Sequence, residues 1–123
     1  MLAADQRLRD SDAFRRTVRS GRRAGGAALV VHVRSDVDPS AAAGGPRVGL
    51  VVSKAVGNSV VRNRVKRRLR HVVRPHLTQL PASSELVLRA LPAAAALSSA
   101  ELDTELTRCL QRVRPGTVMR AES

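Results

Sequence analysis

The chain has 123 residues and carries 22 Lys or Arg against 10 Asp or Glu, a net charge of +12. That length suits a single domain with a modest core, and a hydrophobic share of 43% excludes wholesale disorder. One cysteine excludes an internal disulfide, and no run approaches the roughly 18 uninterrupted apolar residues of a membrane-spanning helix.

Phe14 is the only aromatic residue, so the core must be built from Val, Leu and Ala. Three scattered histidines do not supply a zinc site, and Asp5 sits where an export signal would have its apolar centre. No membrane partner and a cytoplasmic location are therefore expected. One domain is expected over 1–123, with an ordered core over about 7–114.

In chain order, Ser11 is placed to cap a first helix running to about Ser20, with Asp12 favourable in its first turn and Gly21 as its stop. Residues 27–34 contain Leu-Val-Val-His-Val, a β-branched run of strand length. Residues 36–45, rich in Pro, Ala, Gly and Asp, read as a mobile hairpin loop. Residues 47–53 form a second strand, in which Gly49 suggests a close strand approach.

Gly57 suggests a turn, after which Asn58 or Ser59 caps a second helix whose regular part ends near Pro75. Leu-Val-Leu at 86–88 reads as a further strand. Ser98 and Glu101 form a capping box before a last helix with Leu102, Leu106, Cys109, Leu110 and Val113 on one face, Cys109 being a small buried residue. The tail 115–123 is expected to fray.

The second helix carries the chemistry. Between Asn58 and Arg74 stand seven Lys or Arg residues (Arg62, Arg64, Lys66, Arg67, Arg68, Arg70 and Arg74) and no acid. Val61, Val65, Leu69, Val72 and Val73 are interleaved at helical spacing and form a buried stripe. Asn63, Arg67, Arg70 and Arg74 fall opposite that stripe, with Lys66 at its margin. Arg62, Arg64 and Arg68 lie nearer it, where they must snorkel outward or find partners at its edge.

Like charges at this spacing repel by roughly 0.2 to 0.5 kcal/mol per pair, a cost that a polyanion relieves. A basic run with a buried face holds its cations in fixed geometry, which points to a polyanion read by shape. Valines rather than Trp or Phe on the apolar side favour packing in a core over insertion into lipid. His71 lies on the basic side, and His76, after the proline, reads as incidental.

Arg-Val-Gly-Leu-Val-Val-Ser-Lys at 47–54, Val-Gly-Asn-Ser-Val at 56–60 and Arg-Asn-Arg-Val-Lys-Arg-Arg-Leu-Arg at 62–70 together closely resemble the protein subunit of bacterial ribonuclease P. Arg-Leu-Arg at 7–9 and Asp12-Ala13-Phe14 resemble that family's first helix, and Arg-Ala-Leu-Pro at 89–92 its last strand and turn. The resemblance implies an α+β two-layer sandwich, ribosomal-protein-like, in the order αβββαβα, with a left-handed βαβ crossover.

The resemblance also implies a function. The family's RNA subunit carries out magnesium-dependent removal of the 5′ leader from precursor tRNA. The protein binds that RNA and grips the leader between its first helix and its sheet, with no catalytic residue of its own. Magnesium ions would be held mainly by the RNA subunit and substrate. The RNA-binding positions carried over are Lys54, Arg62, Asn63, Arg64, Lys66, Arg67, Arg70 and Arg74. The leader cleft carries over to Phe14, Val18 and His32.

The chain departs from the family pattern at three places: Val18 stands for a second aromatic, His32 for a tyrosine, and Ala55 for a lysine. Two of these fall on the leader cleft and bear on leader preference. Other readings remain open at this level. A structured-RNA-binding protein of ribosomal or chaperone type would use the same helix. A nucleoid-type DNA binder lacks an Arg with Asn or Gln arranged to read bases, and no DNA partner is expected. A self-sufficient nuclease would need paired carboxylates or a nucleophile with its base, and none stands out.

Overall fold

The computed structural model describes residues 11–34, 46–80 and 84–113. The order is α1 (Ser11–Ser20), β1 (Arg22–Gly25), β2 (Leu29–Arg34), β3 (Arg47–Val52), a 3-10 turn at Lys54–Val56, α2 (Ser59–Leu77), β4 (Glu85–Ala90), a 3-10 segment at Pro92–Ala96 and α3 (Ser99–Val113). This is the αβββαβα order that the resemblance implies. The side chains of Ser11 and Asp12, the segment 36–45 and the tail from Pro115 lie outside the described residues, and so do the cap expected at Ser11, the mobility expected of 36–45 and the fraying expected of the tail.

The strands lie in the order β1-β2-β4-β3, antiparallel except for the β3–β4 pair, which is parallel and joined through α2. β4 takes a central place because Leu86, Val87 and Leu88 are apolar on both faces, each 0% exposed. Its insertion overturns the hairpin expected over 36–45, since β2 and β3 both pair with β4 and not with each other. Long-range burial of β4 outweighs the nearness of β2 and β3 in sequence. β1 is missed by a reading of residues because Arg22-Arg23-Ala24-Gly25 has no β-branched member and buries only Ala24. Its ladder with β2 holds it in the sheet.

One face of the sheet presents Val31, Val33, Val48, Leu86 and Leu88 to the buried stripes of α2 and α3, forming one core. On α2 the stripe is Val65, Leu69, Val72, Val73 and Leu77, with Val61 half-buried at its edge. α1 crosses the other face, where Phe14 packs on Val87, as Val51 does from β3. The result is a two-layer sandwich with a single helix laid over its second face.

Asn58 is the cap of α2: its Oδ1 accepts from the Val61 N–H at 3.0 Å. Gly57 before it has φ +156°, and a Cβ there would lie 2.8 Å from Val61 Cγ1, so only glycine suits the turn. The expected stop at Pro75 is not observed, because α2 runs on to Leu77. Proline removes one backbone N–H there, whereas burial of Val72, Val73 and Leu77 holds the last turn. Thr78 Oγ1 also donates to the Pro75 carbonyl at 3.0 Å.

The Ser98–Glu101 capping box forms as read from the sequence, with Glu101 N–H donating to Ser98 Oγ at 3.1 Å and Ser98 N–H to Glu101 Oε1 at 2.9 Å. These bonds hold the Glu101 carboxyl below its usual range. The apolar face of α3 is buried as expected, and Cys109, at 1% exposure, has its thiol pKa pushed up by burial and by the neighbouring Glu105. Glu105 lies on the same face, its Oε2 accepting from the backbone N–H groups of Ala28 at 2.5 Å and Leu29 at 2.6 Å. It thus anchors the start of β2 to α3.

Candidate nucleic-acid interface

The outer side of α2 is a rigid cationic surface. Asn63, Lys66, Arg67, Arg70 and His71 line a shallow groove of about 440 Å³ with no acid in its wall. Asn63, Arg64, Arg67 and Arg74 are exposed, while Lys66 and Arg70 are half-buried. Among the described residues, Arg64, Lys66, Arg67, Arg70 and Arg74 have neither an ion-pair nor a hydrogen-bond partner. Their backbone is fixed because the opposite side of the same helix is core. Guanidinium forks held in this way suit phosphate oxygens.

Two arginines near the stripe find partners at its edge. Arg62 Nε donates to the Gly57 carbonyl at 3.1 Å, and Arg68 Nη1 to the Leu97 carbonyl at 2.6 Å, tying α2 to the turns on either side. Arg64 takes the other course open to a cation beside the stripe and reaches outward, where it is exposed. Lys54 lies in the 3-10 turn after β3 rather than on the strand itself. It too is exposed, and its carbonyl accepts from the Gly57 N–H at 3.2 Å as the chain enters α2.

His76 is not incidental. Its Nε2 lies 2.9 Å from Asp103 Oδ1 and 3.4 Å from Thr107 Oγ1, so it links the end of α2 to α3. Pro75 leaves the helix intact there, which points His76 at its neighbour.

On the second face of the sheet, Arg23, His32, Val87 and Gly49 form one row across all four strands. The Phe14 ring sits over Gly49: a Cβ built on that glycine would lie 2.1 Å from Phe14 Cζ. The close approach expected at Gly49 is therefore to the ring of α1 and not to another strand. Phe14 and His32 thus flank Val87 on one face, two strand spacings or roughly 10 Å apart. Val18, one turn beyond Phe14, is 36% exposed.

His32 is only 5% exposed, so it forms a floor rather than a wall. Burial lowers its pKa, helped by the charges of Arg89 and Arg23. Arg23 stands directly opposite it, and Arg89 stands two residues beyond its partner Val87. Both arginines are exposed on this face and were not read from the sequence as site residues. The alternation Glu85, Val87, Arg89 along β4 is the signal that would have found the second of them.

The lowered pKa has a consequence for stability. Protonating His32 costs more in the fold than in the unfolded chain, so its contribution is intact above its ordinary 6.5 and is lost as pH falls below that toward the folded value. Thermal melts over this range should show a decline that is smaller in His32→Gln. Equal declines in both proteins would contradict it.

Comparison with known proteins bears on the whole chain. The sequence profile of the family described as Ribonuclease P matches residues 2–114. The ribonuclease P protein component of a Nocardioides species is 57% identical over 113 residues, covering 92% of this chain and 95% of that protein. The component from Mycobacterium avium is 51% identical over 117 residues, covering 95% and 98%. The structure of the Staphylococcus aureus RNase P protein superposes with a TM-score of 0.72 at 23% identity, covering 87% of this chain and 94% of that one. With the profile spanning nearly all of the chain and relatives matched almost end to end, this chain belongs to the ribonuclease P family, as a protein component.

Proposed function

We propose that this protein binds the ribonuclease P RNA through α2 and the leader of precursor tRNA through the second face of its sheet, assisting removal of the leader in the cytoplasm. The observation that carries this reading is the set of cations on α2 that have no partner among the described residues, held by the core beneath them around a groove whose lining contains no acid. Arg62, Asn63, Arg64, Lys66, Arg67, Arg70 and Arg74, with Lys54 at the entry to the helix, are the RNA-binding residues. Phe14, Val18 and His32 meet the leader, with the Phe14 ring stacking on a base.

Hydrolysis in this reading belongs to the RNA subunit, with magnesium bound to RNA and substrate. The chain's part is electrostatic and positional. Fixed cations offset the repulsion between two RNAs as precursor tRNA docks, and the cleft orients the leader away from the cleavage point.

The test is the salt dependence of binding to ribonuclease P RNA. If α2 neutralises about five phosphates, affinity should fall with a log-log slope near −3.5, using the single-strand coefficient as a rough guide. A flat response would contradict the proposal.

A further inference from the structure

α1 is tied to the sheet by one buried carboxylate. Glu85, at the start of β4, is 6% exposed and turns toward α1. Its Oε2 accepts from Arg16 Nη2 at 2.8 Å, and its Oε1 accepts from Thr17 Oγ1 at 3.1 Å, Arg16 Nε at 3.4 Å and Arg34 Nη1 at 3.4 Å. One side chain therefore joins α1, β2 and β4. Among the described residues it is the one acid on this face of the sheet, and Arg47 stands opposite it in β3.

A helix of 10 residues does not hold itself in water, so the position of α1 depends on what it touches. One anchor is Phe14, resting on Gly49 and Val87 by contact alone. The other is directional. Arg16 meets the carboxylate through two nitrogens, and Thr17, itself 0% exposed, adds a hydroxyl from the next position. Contact restrains the height of the helix over the sheet, whereas the fork and the hydroxyl restrain its rotation and its slide along its axis.

We infer that Glu85 is a positioning residue for leader binding: by fixing α1 over the sheet it sets where Phe14 and Val18 meet a single-stranded RNA leader. This rests on the leader-cleft reading above. Glu85 does not touch the RNA in this account, and its negative charge is spent on α1 and β2.

The test uses holoenzyme assembled from the full chain and a bacterial ribonuclease P RNA. It is assayed on two precursor tRNAs, one with a long leader and one with the leader cut to a single nucleotide. Glu85→Ala should raise KM for the long-leader precursor about tenfold, within the range produced by losing one stacked base, with kcat and the short-leader KM unchanged. Glu85→Gln keeps an acceptor for Thr17 and should recover part of the loss. Arg16→Gln should act in the same direction and add little to Glu85→Gln, because both break the same link.

Equal losses on both precursors would overturn the inference, since they would mark a general folding defect. Additive effects of Arg16→Gln and Glu85→Gln would also overturn it, because Arg16 would then be meeting RNA independently. The Gln variants keep the test decisive if Glu85→Ala does not fold. If the wild-type holoenzyme does not distinguish the two leaders, the cleft reading itself fails and the role of Glu85 falls with it.

Discussion

Replacing Arg67 and Arg70 together with alanine should weaken binding to ribonuclease P RNA by about two orders of magnitude or more, at roughly 1.5 to 3 kcal/mol for each lost charge-assisted bond. Stability should scarcely change. Both side chains line the α2 groove without a hydrogen-bond or ion-pair partner among the described residues, and such surface changes usually stay within about 0.5 kcal/mol. Leu69→Ala, on the opposite side of the same helix, should do the reverse. Leu69 is 0% exposed, and its truncation should cost roughly 2 to 5 kcal/mol in stability. Titration calorimetry and thermal melts on the two proteins separate these effects. A large drop in melting temperature in the double arginine variant would contradict the division of α2 into a binding side and a core side.

Gly49→Ala should expel the Phe14 ring. The added methyl carbon would lie 2.1 Å from Phe14 Cζ and 2.5 Å from Cε1, distances at which something must move. The backbone of β3 is held in register with β4, so the ring yields. Overpacking of this kind costs roughly 1 to 3 kcal/mol in stability. If the ring stacks on a leader base, affinity for a long-leader precursor should fall about tenfold or more. In a Phe14→Ala background the same Gly49→Ala change should be nearly silent, because the atom it collides with is gone. Undiminished leader affinity in Gly49→Ala would remove Phe14 from the cleft.

The helices are legible in the sequence because their signals are local. The stripe of Val65, Leu69, Val72 and Val73, the Asn58 cap and the Ser98–Glu101 box each depend on residues a few positions apart, and each forms. The Pro75 stop fails because a local preference meets tertiary burial, which outweighs one lost hydrogen bond. Strand pairing is a different problem. Nothing near 36–45 reports that β4, which follows α2, will lie between β2 and β3.

The candidate site divides along the same line. Its basic box is a contiguous motif, visible at once. The groups that tie the surrounding elements together are paired across long separations. Thr17 meets Glu85 68 residues away, Ala28 meets Glu105 77 residues away, and His76 meets Asp103 27 residues away. Glu85 and Glu105 look like ordinary surface carboxylates in sequence, and only the fold shows that both are buried and satisfied. The role of Gly49 is hidden for the same reason, since the ring it admits belongs to α1.

The most direct measurement is cleavage of a precursor tRNA by a bacterial ribonuclease P RNA at low magnesium, with and without this protein. Cleavage at the mature 5′ end only when both are present is the predicted result. Cutting by the protein alone, or tight RNA binding that never assists cleavage, would contradict it.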